Sequence, residues 1–159
     1  MLYASKYVDY ATVIRSDTAK RNGLTNYFTK PQLKNIERIA AEVYDPLVDH
    51  FREQIYISSF FRSKEVNKLI GGSWDSHHMA NGCAAAIDLD ADNNFGVNNQ
   101  EVFDYIKDNL DYDQLIAEGL DSNGKMSWCH VSYKEKGNRK QVLTMVMKNG
   151  VKTYEQYKN

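Results

Sequence analysis

Four histidines, His50, His77, His78 and His130, are all the imidazole that this 159-residue chain carries, and three of them lie among serine, tryptophan and aspartate. One such segment reads Gly71-Gly72-Ser73-Trp74-Asp75-Ser76-His77-His78 and runs on to Ala86-Ile87-Asp88-Leu89-Asp90. The other reads Ser127-Trp128-Cys129-His130-Val131-Ser132-Tyr133. Two imidazoles and one carboxylate, contributed by neighbouring strands, form a catalytic zinc set with a fourth position left for water. Zinc held in that way lowers the pKa of its water toward about 7 and polarises a scissile carbonyl. Adjacent residues of an extended chain point to opposite sides, so only one of His77 and His78 serves a given metal. The same rule separates Cys129 from His130 and argues against a Cys2His2 site. His50, beside Asp49 and Arg52, reads as surface or packing.

The elements that must position these groups follow from periodicity and punctuation. Leu33, Ile36, Ile39, Ala40, Val43 and Leu47 recur at helical steps behind Thr29 and Pro31, predicting an amphipathic helix disturbed near Pro46. Ile55 to Phe60 reads as a strand, and Ser63 caps a short helix with Val66, Leu69 and Ile70 inward, closed by Gly71-Gly72. Ala84 to Leu89 reads as a buried strand, and Asp90 to Asn99 as a polar loop ending in an Asn99 cap for the helix of Val102, Ile106 and Leu110. Asp113 to Glu118, Ser127 to Tyr133 and Gln141 to Met147 read as strands, and Asn149-Gly150 marks a hairpin. The first 30 residues carry turn signals at Asn22-Gly23 and Asn26. Helices first and strands later favour α+β over a doubly wound parallel sheet.

Composition narrows the classes. Lys plus Arg number 20 against 21 Asp plus Glu, a net charge of −1 that gives no electrostatic case for nucleic acid or an anionic membrane. No run of about 18 apolar residues could span a bilayer, and the N-terminal segment, broken by Asp9, has no apolar signal core. Cys83 and Cys129 allow one disulfide at most and read most simply as reduced, buried small residues. A single domain over 1–159 is expected, with 1–12 and 154–159 as frayed ends, and the chain is expected to be a monomer.

Several motifs, taken in order, resemble a known family. Ser16-Asp17-Thr18-Ala19 with Gly23 and Asn26 is similar to the opening segment of one phage-like branch. Ile57-Ser58-Ser59-Phe60-Phe61-Arg62-Ser63, then Val66-Asn67 and Gly71-Gly72-Ser73, resembles a strand, arginine turn and helix. Ser76-x-His78, Ala86-x-Asp88-Leu89, the strand Asp113-Gln114-Leu115-Ile116 and Trp128-x-His130 complete the series. The family is that of the zinc D-alanyl-D-alanine carboxypeptidases and L-alanyl-D-glutamate endopeptidases, peptidase family M15, to which phage endolysins belong. The likeness spans roughly residues 13 to 147. It implies the Hedgehog/DD-peptidase fold, α+β with a small, mostly antiparallel sheet and helices packed on it. It also implies Zn2+ held by His78, Asp88 and His130, with Arg62 in the cleft as anchor for a substrate carboxylate or developing oxyanion. Ser76 would hydrogen-bond behind the ligands and Trp128 would wall the pocket.

Two departures bear on the site. His78 and Asp88 are ten residues apart where the family usually has seven, and Ala84 stands where the Gly before Ala-x-Asp would be. An insertion around Met79 to Cys83 keeps His78 and Asp88 in register. Counting back seven instead reaches Asn81, aligning Gly82 puts Ala86 at the aspartate, and His77 is the alternative to His78. The position three before His130, where many relatives carry an acid, is Ser127, which leaves Glu118 as the general base with Asp121 behind it.

The resulting expectation is a zinc metallopeptidase hydrolysing an amide bond in the peptide stem or cross-link of bacterial peptidoglycan. Its rival is a catalytically weak or inactive cell-wall or protein-binding module on the same fold. The chain would be made in the cytoplasm and act at the bacterial cell wall, phage-delivered or in host lysis. Asp90, Asp92, Asn94 and Glu101 also match positions of a calcium loop, but Phe95 stands where Gly is required, so a polar loop is the plainer reading.

Overall fold

A computed structural model describes residues 2–93 and 96–158. Two five-residue helices open the chain: α1 over Tyr10–Ile14, capped by Asp9, and α2 over Asp17–Arg21, capped by Ser16. α3 spans Lys30–Ile39 behind a Thr29/Gln32 capping box. The disturbance expected near Pro46 takes the form of a π-helical turn over Ala40–Tyr44, in which the Asp45 N–H reaches back to Ala40 O, before α4 over Asp45–Phe51. Pro46 then sits in the first turn of α4, where it lacks no needed donor.

β1 over Tyr56–Ser59 leads to α5 over Lys64–Leu69, capped by Ser63. A 3-10 turn over His77–Met79 precedes β2, Ala84–Asp90. A second such turn, Ala91–Asn93, is followed by α6, Asn99–Asn109, and β3, Gln114–Glu118. β4 covers Trp128–Lys134, β5 Gln141–Lys148 and β6 Val151–Gln156. The six strands lie in the order β1-β2-β4-β3-β5-β6, antiparallel except for β3 beside β5. The fold is therefore α+β with a mostly antiparallel sheet, as the sequence pattern indicated.

Strand alternation divides the sheet into two faces. Ile87, Leu89, Leu115, Ala117, Cys129 and Val131 turn to one side and are buried with Ile36 and Ile39 of α3 and Val102, Phe103 and Ile106 of α6. Each fully buried aliphatic side chain of this kind contributes about 1.5–3 kcal/mol relative to exposure. The opposite face carries Asp88, His130, Ile116, Glu118, Trp128 and Leu143, and it lines an open cleft.

Four local expectations differ. Asn98, not Asn99, caps α6, its side chain accepting from the Glu101 N–H while the Glu101 carboxylate accepts from its own N–H. Asn99 is instead buried and donates to Ser127 O. Leu69 and Ile70 are exposed because α5 ends at Leu69, leaving Val66 as the inward apolar residue. Cys83 is exposed, and both cysteines are free thiols. Residues 154–156, expected to fray, pair with β5, and Tyr157 accepts from the Gln100 amide.

The acidic loop is occupied by protein contacts. Asp92 pairs with Lys125 at 2.7 Å and accepts from the Asn99 N–H, and Glu101 belongs to the α6 capping box. Asn94 and Phe95 of the calcium pattern lie outside the described residues. Among the described residues, no helix is long and apolar enough to cross a membrane.

Candidate metal centre and cleft

His78 reaches the cleft from the 3-10 turn, Asp88 from β2 and His130 from β4, with Asp88 and His130 directly opposite in the β2–β4 register. His78 Nε2 lies 3.1 Å from Asp88 Oδ1, His130 Nδ1 lies 2.8 Å from the same oxygen, and the two ring nitrogens are 3.2 Å apart. A tetrahedral ion with bonds of about 2.0–2.2 Å holds its ligands roughly 3.3 Å apart. Two imidazoles and a carboxylate at these separations could hold a divalent metal, with room for further ligands on the cleft side.

The surroundings fix the state of each donor. His78 Nδ1 is 2.7 Å from Phe60 O, which can only accept, so the proton resides on Nδ1 and the Nε2 lone pair faces Asp88 and His130. Burial pushes His78 below the ordinary histidine value and keeps it neutral. Burial opposes ionisation of Asp88, but the charge and hydrogen bonds gathered around it prevail and hold the carboxyl well below its usual range. Its second oxygen accepts from Arg62 at 3.1 Å, and the Arg62 Nε–H donates to Ser59 Oγ. Arg62, expected to face substrate, thus grips the aspartate as well as lining the cleft.

The ten-residue spacing from His78 to Asp88 is absorbed by a pinned loop. Ala80 and Gly82 both adopt left-handed backbone, and Asn35 of α3 donates to the carbonyls of both. The Gln32 amide holds Met79 O and Asn81 Oδ1. Asn81 is therefore turned to α3, and Ala86 pairs with Ser132 two residues before Asp88 on β2. His77 lines the same cleft outside the triad; burial lowers its pKa, and Asp113, Lys134 and Arg139 are among the charges that act on it.

The chain's Peptidase M15 likeness is confirmed over residues 6–132, about four fifths of its length, where the family's sequence profile matches. The chain belongs to the Peptidase M15 family. Membership puts it among hydrolases of the metallopeptidase class, in keeping with the metal-capable triad. No curated protein matches the chain.

Around the triad of this M15 chain, the cleft has a volume of about 820 Å³. Glu118 and Trp128 are cross-strand partners on its floor, and burial raises the Glu118 pKa, with His130 opposing. Gly119 turns at φ +65°, and a Cβ there would meet the Trp128 ring at 2.7 Å, so the residue after Glu118 must be glycine for the indole to lie where it does. Ser76 lines the cleft and opens the 3-10 turn of His78. The Ser127 hydroxyl donates to Gly119 O at 2.7 Å and serves the turn. Sequence reasoning missed the Phe60 carbonyl, which no residue type announces. It also missed Lys152 and Tyr154, whose alternation on the hairpin after Asn149-Gly150 was the available signal.

Proposed function

We propose that this M15 chain is a zinc peptidase that hydrolyses an amide bond in the peptide part of bacterial peptidoglycan. The observation that carries the reading is the convergence of His78, Asp88 and His130 within hydrogen-bond distance on the floor of an open cleft. Zinc bound there would acidify a water and polarise the scissile carbonyl. Arg62 and the Phe60 carbonyl hold Asp88 and His78 in their orientations before substrate arrives. Glu118, partly desolvated and facing the same cleft, takes the proton of the attacking water and returns it to the departing amine. Trp128 forms an apolar wall beside it, and Ser76 borders the His78 turn. Nη1 of Arg62, which makes no hydrogen bond among the described residues, is available to a substrate carboxylate or to charge developing on the carbonyl oxygen. We assign the chain as a monomer that acts at the cell wall, in the manner of a phage lysis enzyme.

A second reading rests on Ser127. Its hydroxyl is committed to the Gly119 carbonyl, so no acid stands three residues before His130. A wall-binding module with residual or no turnover would have that character. The decisive experiment supplies zinc-loaded protein with purified peptidoglycan and synthetic stem peptides, with a chelator control. Chelator-sensitive release of peptide fragments is the expected result. Stoichiometric zinc without turnover of any stem peptide favours the binding module.

A further inference from the structure

The cleft extends past the region that the family match covers. The family match ends at residue 132, yet Arg139, Leu143, Lys152 and Tyr154 all border the cleft. Register explains why. Leu143 of β5 lies opposite Ile116 of β3, while Tyr154 and Lys152 of β6 lie opposite Met145 and Met147. All share the sheet face of the triad, so the surface from Asp88 and His130 through Ile116 and Glu118 continues without a break to β6.

The cations along this surface are not equivalent. Arg15 donates to Ile57 O and covers the Tyr56 ring, Arg62 is bound to Asp88, and Arg139 is bound to Asp113. Lys152 is exposed, makes no salt bridge among the described residues, and lies near enough to Glu118 for its charge to act on that carboxyl. Tyr154, two residues on, puts a half-exposed ring on the same face and remains a phenol able to donate. An uncommitted ammonium beside an aromatic ring, a few residues across from a metal-capable triad, is chemistry for a peptide carboxylate.

We propose that Lys152 and Tyr154 form a substrate subsite on the β6 wall, in which the Lys152 ammonium pairs with a carboxylate carried by the peptide and the Tyr154 ring packs beside it. The subsite sets preference for acidic over amidated peptides and rests on the peptidase reading above. β5 and β6 lie beyond the family match, so the preference would be set outside the matched region that holds the triad.

The test measures affinity and turnover separately, using the full zinc-loaded chain. The probes are L-Ala-D-Glu-L-Lys-D-Ala-D-Ala, the same peptide with the D-Glu carboxylate amidated, and the same peptide with its C-terminus amidated. In the wild type, one of the two amidations weakens binding about tenfold. In Lys152→Met, binding of the acidic peptide falls by the same factor and that amidation no longer matters, whereas Lys152→Arg keeps the discrimination. Tyr154→Ala weakens all three peptides together, and zinc content is unchanged in every variant. Equal affinity of the wild type for all three peptides, or undiminished discrimination in Lys152→Met, overturns the subsite. Discrimination that is lost in Lys152→Met while no peptide is cleaved supports the subsite and fails the peptidase reading alone.

Discussion

His78 donates its Nδ1 proton to the Phe60 carbonyl across 2.7 Å, and that one bond selects which face of the imidazole the centre receives. Phe60 follows β1 and is itself buried, so the acceptor is held by the core rather than by a mobile side chain. The ring is thereby oriented before any metal arrives, with Nε2 directed at Asp88 and His130. Preorganisation of this kind is what raises metal affinity above that of three unconnected ligands.

The centre should therefore fail as a unit. His130→Ala removes one of three donors and is expected to take bound zinc below one-tenth of stoichiometry, and hydrolysis with it. Loss of the several kcal/mol that a metal supplies corresponds to a fall of about 10³ or more in kcat/KM. Elemental analysis of the purified variant, read beside turnover of stem peptides, checks both. Retained hydrolysis with zinc absent would remove the mechanism.

Arg62 separates orientation from charge. Arg62→Lys keeps the positive charge but cannot donate to Asp88 and Ser59 from one planar fork. The expected result is zinc affinity weaker by about 10–100-fold, the range found for partners that orient ligands. Competition titration against a chromophoric chelator gives the value. Unchanged affinity would confine Arg62 to substrate.

Glu118→Gln should leave zinc in place and lower kcat by about 10²–10⁴. Burial is the main cause of the raised Glu118 pKa, and a base works only when deprotonated. The acid limb of the wild-type kcat/KM profile therefore falls as pH drops through a value above that of a solvated glutamate. The limb should vanish from the residual activity of Glu118→Gln. A variant with near-wild-type turnover would move the base elsewhere.

Much of this arrangement was legible in the chain, and the parts that were not share physical causes. α3 shows a sustained apolar stripe, and Ala84–Asp90 reads as a strand because it is buried on both faces. α1 and α2, at five residues each, are too short for periodicity and depend on caps at Asp9 and Ser16. Asn98 and Asn99 are the same residue type, so only the capping box with Glu101 distinguishes them. The His78-to-Asp88 spacing left the register open between an insertion and other alignments, because the loop's anchors, Gln32 and Asn35, lie more than 40 residues away. Parity did predict that Cys129 and His130 part company: the thiol enters the core and the imidazole the cleft.

That separation can be checked chemically. Burial pushes the Cys129 thiol far up, whereas Cys83 is exposed. A thiol reagent such as dithionitrobenzoate should therefore modify one cysteine per native chain within minutes and the second only after denaturation. Cys83→Ser should abolish the fast phase. Two fast-reacting thiols in the native protein would contradict the placement of β4.

Acid stability is the last test, and it concerns the cleft's far wall. Asp113 is buried, which works against its charge, yet hydrogen bonds from Arg139 and Lys134 prevail and bring its pKa from 3.8 to about 2. A depressed folded-state pKa stabilises the fold above the unfolded value and is lost as pH falls through the folded one. The window is thus roughly pH 4 down to pH 2. Because both partner cations are partly exposed, solvent screening limits the contribution to about 1–2 kcal/mol. Urea midpoints at pH 7 and pH 2.5 should therefore differ by less in Asp113→Asn than in the wild type, with the variant already weaker at pH 7. An identical pH dependence in both proteins would mean that the ion pairs of Asp113 with Arg139 and Lys134 contribute nothing to stability.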